Sequence, residues 1–155
     1  AWGGVCANNM VALNITETHK TSQNIKERMA FTLSIADVDH LKEADFFGIA
    51  SGNDMEDKFE RSGLHAVKSE KVDAPVVEEF PLTLECRVAE LQHTAYGFRV
   101  LGEIVDVLAD EKVLDEDGIV DIAKLNAFAF DPFGSGYYRI GEKVGDAWGD
   151  GDELM

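Results

Sequence analysis

In a chain with 14 lysines and arginines against 30 aspartates and glutamates, residues 18–28 (THKTSQNIKER) run against the trend: Lys20, Lys26 and Arg28 outweigh the single Glu27. The same stretch gathers Thr18, His19, Lys20, Thr21 and Ser22 where the pattern reads as a helix start. Thr18 or Thr21 is placed to cap a helix running through Met29. Amides of a first helical turn have no intrahelical acceptor, and hydroxyls and an ammonium beside them suit an oxyanion such as phosphate. The spacing describes an ordinary capped helix with a solvated basic face equally well, and taken alone it favours that reading. A second basic island, residues 58–71, sets Lys58, Arg61, Lys68 and Lys71 against Glu60 and Glu70, and is weaker still. Trp2 sits in a glycine-bounded stretch, AWGG, either as a stacking surface for a planar ligand or as a core or subunit-interface tryptophan.

Other chemistries find no support. There is no GxGxxG after a strand, no GxxxxGK[ST], no CxxC, no HExxH and no GxSxG. The four histidines, 19, 40, 65 and 93, have no metal-ligand spacing. Asn14-Ile15-Thr16 matches a glycosylation sequon but lies inside an expected strand. Cys86 falls on the apolar side of its strand and is expected to be buried and inert.

The 155 residues suit one domain with its own core. A hydrophobic content of 45% with 28% charged residues is globular, not disordered. The net charge of −16 repels phosphate backbones, so nucleic acid is not an expected partner. No apolar run is long enough for a membrane helix, and two cysteines fit a cytoplasmic setting better than a disulfide scaffold.

Positioning falls mainly to strands. Val11, Leu13 and Ile15 alternate with polar or small residues, as do Phe31, Leu33 and Ile35, and Leu82, Leu84, Cys86 and Val88. Residues 98–108 (FRVLGEIVDVL) read as a strand with Gly102 at a bulge or bend. A short strand is expected over 137–141. Brief helices are expected after Asp39, ended by Gly48, and from Asp54, with Met55 and Phe59 on one face, to Gly63. Phe128, Phe130, Phe133, Tyr137 and Tyr138 are expected to pack in the core. Strands without regular βαβ alternation argue for an antiparallel barrel or sandwich.

The order of these segments resembles the flavin reductase-like, FMN-binding split-barrel family, flavoredoxin-type members above all. The resemblance runs through AWGGVC at 1–6, HKTSQNI at 19–25, AFTLSI at 30–35 and EADFFGIASGNDMEDKF at 43–59. It continues through GLHAVKSEKVDAPVVEEFPLTLEC at 63–86, GEIVDV at 102–107 and YYRIGEKVG at 137–145. It implies a mainly β chain with short α helices, a six-stranded antiparallel split barrel of Greek-key type. It further implies one domain over 1–155 whose first family strand lies ahead of Ala1, and a homodimer holding FMN near the subunit interface. Ala1 and Trp2 match the strand along the isoalloxazine. Thr16, Thr18, His19, Lys20 and Thr21 match the loop and helix start that hold the FMN phosphate, and Ser51, Gly52 and Lys58 match a second group of contacts. With the resemblance added, the phosphate reading outweighs simple capping.

The implied activity is electron transfer from NADH or NADPH, as hydride to flavin N5, and on to a free flavin, a metal complex or a redox protein. The isoalloxazine does that chemistry, so no side chain is assigned as catalytic. A non-enzymatic FMN carrier or flavin store is the alternative, and a flavin-free scaffold a third. The acidic surface would steer a basic redox partner. Beside the family strand expected ahead of Ala1, which carries an Asn and a Thr before Ala-Trp, the chain departs from the family pattern in three places: Thr16-Glu17 replaces a frequent arginine, Gly97-Phe98-Arg99 replaces a Gly-x-His whose implied role is to position a nicotinamide, and SGNDMEDKF is one residue longer than SGxDxDKF.

Overall fold

A computed structural model describes residues 2–95 and 97–155. In chain order the strands are β1 (Trp2–Ala7), β2 (Met10–Ile15), β3 (Ala30–Ile35), β4 (Ala66–Lys68), β5 (Pro75–Val77), β6 (Leu82–Thr94), β7 (Gly97–Ala109), β8 (Phe128–Asp131) and β9 (Gly136–Arg139). The helices are α1 (Lys20–Arg28), α2 (Leu41–Ile49), α3 (Lys58–Ser62) and α4 (Ile122–Leu125).

The main sheet has the order β1-β2-β7-β6-β3, with every neighbouring pair antiparallel. The expectation of six strands is therefore corrected: this sheet has five. Nor is it closed, because β1 and β3 lie at opposite edges. The remaining short strands pair among themselves, β4 with β5 and β8 with β9, so none is available to complete a ring.

Alternation does what the pattern requires. Val11, Leu13 and Ile15 of β2 are buried while Asn14 faces water, and Cys86 and Val88 of β6 join Phe98 and Val100 of β7 beneath them. Ile25 of α1 and Phe31 of β3 complete that core. Burying each large apolar side chain contributes about 1.5–3 kcal/mol, and Ile25 is the residue through which α1 joins this core.

The β6–β7 ladder carries two irregularities, between Glu85 and Cys86 and between Val88 and Glu90. Gly102 is not the bulged residue, contrary to expectation. Val88 pairs with Gly102 and Glu90 with Leu101, so the extra residue is Ala89 on the opposite strand. Glycine is needed at 102 for another reason: a Cβ there would lie 2.5 Å from Phe31 Cζ and 3.3 Å from Val11 Cγ2.

The helices also shift from expectation. The segment after Asp39 forms α2 and passes through Gly48 to Ile49. Residues 51–57 make turns, with Ser51 O accepting from the Asp54 and Met55 N–H groups, so α3 starts at Lys58, later than an Asp54 cap implies. Gly63, at φ 73, ends it as expected. The aromatic run does not fill the core. Phe128 is partly buried, but Phe130, Phe133, Tyr137 and Tyr138 are exposed on the β8–β9 hairpin.

Cys6 is exposed and Cys86 is buried. Burial, with Glu85 adjacent, pushes the Cys86 thiol up to about 11, so it holds almost no thiolate at neutral pH. Ellman's reagent should titrate one thiol per chain in the native protein and two after denaturation. Two fast native equivalents would contradict this packing.

Candidate functional site

α1 begins differently from a threonine-capped helix. Its N-cap is His19, in extended conformation at φ −66, ψ 147, and His19 makes no side-chain bond to the first turn. Closure comes from inside instead: the buried Ser22 hydroxyl donates to Thr16 O at 2.8 Å, and His19 N–H donates to the same carbonyl at 3.1 Å. Thr16 therefore shapes the loop with its backbone. The first-turn amides are left without a capping side chain from His19.

A second loop is drawn against this helix start. Asn53 donates from its side-chain amide to Thr18 O at 2.8 Å, and its own N–H bonds the Ser51 hydroxyl at 3.2 Å. Gly52 then lies against Lys20. A Cβ at position 52 would come within 3.3 Å of Lys20 Cβ, so a side chain there would crowd the lysine. Asn53 was not singled out from the sequence; the available signal was the small polar run Ser-Gly-Asn after a helix, which favours side-chain-to-backbone turns.

Lys58 enters from α3. Its ammonium donates to Phe47 O at 2.8 Å and Ala50 O at 2.7 Å, and so ties off the end of α2. The Phe59 ring stacks on Phe47 at 5.9 Å and fixes α3 beside α2. Burial holds the Lys58 ammonium below the ordinary lysine value. Two of its three N–H donors are engaged, which leaves one for a ligand.

These elements enclose a cleft of about 510 Å³ whose lining includes His19, Lys20, Thr21, Ser51, Gly52 and Lys58. That volume is in the range of small-molecule sites, about 300–1,000 Å³. Six sequence-named residues are thus brought together. Thr16 and Thr18 support the cleft through their carbonyls, and Asn24 and Phe47 are lining residues that sequence reasoning missed. Trp2 does not line it. It stands on β1 opposite Asn14, two residues before Thr16, with 64% of its surface exposed and its ring edge-on to Phe130 at 5.8 Å. Ala1 lies outside the described residues.

The local charge is directed rather than diffuse. Lys26 is committed to Glu17 at 2.6 Å and lies over the Phe98 ring, and Arg28 is committed to Asp73 at 3.0 Å. Among the described residues no carboxylate pairs with Lys20. A helix start, an ammonium, two hydroxyls and a side-chain-free position 52 thus meet at one cleft, a set of donors of the kind that suits an oxyanion.

A family model described as a flavin reductase-like domain matches residues 4–127. The chain belongs to the flavin reductase-like family. Among solved structures, the flavoredoxin of Desulfovibrio vulgaris (Miyazaki F) is 37% identical, with a TM-score of 0.91 over 97% of this chain and 81% of that one. The flavoredoxin of Methanosarcina acetivorans is 27% identical, with a TM-score of 0.90 over 99% of this chain and 82% of its own. An uncharacterised protein of Archaeoglobus fulgidus is 31% identical over 113 residues, which is 73% of this flavin reductase-like chain and 62% of the relative. The chain therefore spans less than two thirds of that relative's length. Among the described residues no group of histidine, cysteine and carboxylate side chains is arranged to hold a metal, and no helix is long and apolar enough to cross a membrane.

Proposed function

We propose that this chain binds FMN and passes electrons from NADH or NADPH through it to a free flavin, a metal complex or a redox protein. The observation that carries the reading is the phosphate-sized cradle at the start of α1 in a chain of this family. Lys20 would neutralise phosphate charge, and the first-turn amides with the Thr21 and Ser51 hydroxyls would donate to its oxygens. Gly52 leaves the room for close approach, and the remaining Lys58 donor closes the far side. His19 borders the cleft, and the Thr16 and Thr18 carbonyls hold its two loops in place. Trp2, with Ala1 before it, would lie along the ring system, as the family pattern implies. When bound, FMN supplies acceptance of a hydride equivalent and release of electrons singly or in pairs. The protein's own part is to hold the phosphate, orient the ring and limit water around it. Two unpaired thiols support a cytoplasmic setting.

A carrier with no nicotinamide site of its own is the second reading, and Arg99 favours it. The family pattern described above implies a histidine here, whereas this chain has an exposed arginine on β7, in register with Asn14 and Gln92. The test has two steps. FMN should remain with the protein through desalting, visible as flavin absorption bands. Anaerobic NADH or NADPH should then bleach the bound flavin faster than it bleaches free FMN. Loss of all flavin on desalting overturns the binding site, whereas retained flavin that NAD(P)H does not bleach selects the carrier.

A further inference from the structure

α1 borders a second cleft along one side. Thr21, Asn24, Ile25 and Arg28 follow one another at the three- and four-residue spacing that lines one face of a helix. Across from them stand β3 and the β4–β5 hairpin, and the cleft between has a volume of about 590 Å³. Its apolar walls include Ile25, Phe31, Val67 and Pro75. Thr21 and Asn24 line both this cleft and the 510 Å³ cleft at the start of α1, so the two are continuous along the helix. From Thr21 to Arg28 the helix rises about 10 Å. The charged lining of the second cleft is balanced, with Arg28 and Lys68 against Glu27 and Asp73. Arg28 lies 3.0 Å from Asp73 and 3.7 Å from Glu27. A charged ligand would have to compete with those pairs, whereas a neutral one leaves them intact. The Asn24 side chain has no hydrogen-bond partner among the described residues, so its donors and its acceptor stay available.

The two clefts also have a direction. Trp2 stands on β1, at the edge of the main sheet opposite β3, and α1 leads from β2 to β3. A flavin ring directed toward Trp2 with its phosphate at the start of α1 runs one way from that phosphate. The second cleft opens the other way, toward β3, so only the phosphate end of such a ligand adjoins it. We infer that this cleft takes a nucleoside joined through a second phosphate to the flavin phosphate, so that the chain accepts FAD as well as FMN and holds FAD more tightly. The chemistry matches on each count. A nucleoside is uncharged, which suits a lining whose charges are already paired. Its base has two apolar faces to lay against Ile25, Phe31 and Val67, and its ribose hydroxyls suit the open Asn24 amide. The volume falls in the range of small-molecule sites, about 300–1,000 Å³.

This inference rests on the flavin reading and deepens it by naming which free flavins the site takes. Calorimetric titrations with FMN and with FAD, run side by side, test it. FAD should bind roughly tenfold or more tighter than FMN. Val67→Trp, on a short exposed strand, fills the second cleft from its outer wall. It should bring FAD affinity down to that of FMN, while FMN binding and the circular dichroism spectrum stay unchanged. FAD that binds no tighter than FMN to the unaltered protein overturns the inference, and that ratio decides it even where the variant fails to fold. A folded Val67→Trp protein that keeps the FAD advantage, or that loses FMN and FAD affinity alike, does the same. Binding of neither flavin is the separate result that overturns the flavin reading itself, and this inference with it.

Discussion

Gly102→Val is expected to lower the unfolding free energy by about 1–3 kcal/mol or more, the range for forcing extra carbon into a packed core. Even the first added atom would sit 2.5 Å from the Phe31 ring and 3.3 Å from Val11 Cγ2. Both neighbours are buried, so neither can swing into water to make room. The collision lies on the central β7, where β2 and β6 pair on either side, so the strand cannot bow away without loosening two ladders. Phe31→Ala alone should cost about 3–5 kcal/mol through the cavity it leaves. Combined with Gly102→Val, the total should fall short of the sum by about 0.5–3 kcal/mol, because the valine then enters the space the ring gave up. Urea denaturation of the four proteins measures this directly. Strict additivity would show that Phe31 is not what requires glycine at 102.

The second large effect concerns binding. Lys20→Ala and Thr21→Ala each remove a donor side chain that lines the 510 Å³ cleft. Hydrogen bonds to charged groups contribute about 1.5–3 kcal/mol, so each variant should weaken FMN binding roughly 10- to 150-fold. The folded state should scarcely notice, since both side chains are exposed and Lys20 has no carboxylate partner among the described residues. Lys58→Ala would be a poor substitute. It strips two carbonyls at the end of α2 of their donor, so lost affinity would be mixed with lost stability. Fluorescence titration with FMN, alongside thermal melts, separates the two effects. Unchanged affinity in the Lys20→Ala, Thr21→Ala double variant would remove the cradle from the flavin account.

What could be read in advance follows the range of the interactions. Val11, Leu13 and Ile15 announced β2 because a two-residue period reports one buried face and needs no knowledge of the partner strand. The same holds for β3 and the start of β6. Gly102 was legible as an unusual strand residue but not in its purpose, since Phe31 meets it from a strand more than seventy positions away. The helix start was legible, its capping was not: Ser22 closes the turn from within, a choice set by burial of that face. Lys58 was found by pattern, but its bonds to Phe47 and Ala50 depend on how α3 packs on α2. Phe130 and Tyr137 misled because aromatic content predicts burial, whereas a two-stranded hairpin lying apart from the sheet has little core to offer. The barrel count failed on the same ground, since local pattern shows strands and only pairing shows whether a sheet closes.

The connection made by α1 has a consequence for the time course of assembly. β6 and β7 are neighbours in sequence and form a long hairpin, the kind of unit that closes quickly. β2 and β3 attach to its two opposite sides, and α1 is the bridge between them. Until both distant pairings are made, the start of α1 cannot face the Ser51-Gly52 loop. The cleft at the start of α1 therefore exists only in the finished molecule. A ligand held there would leave the rate of folding alone and act as a brake on unfolding.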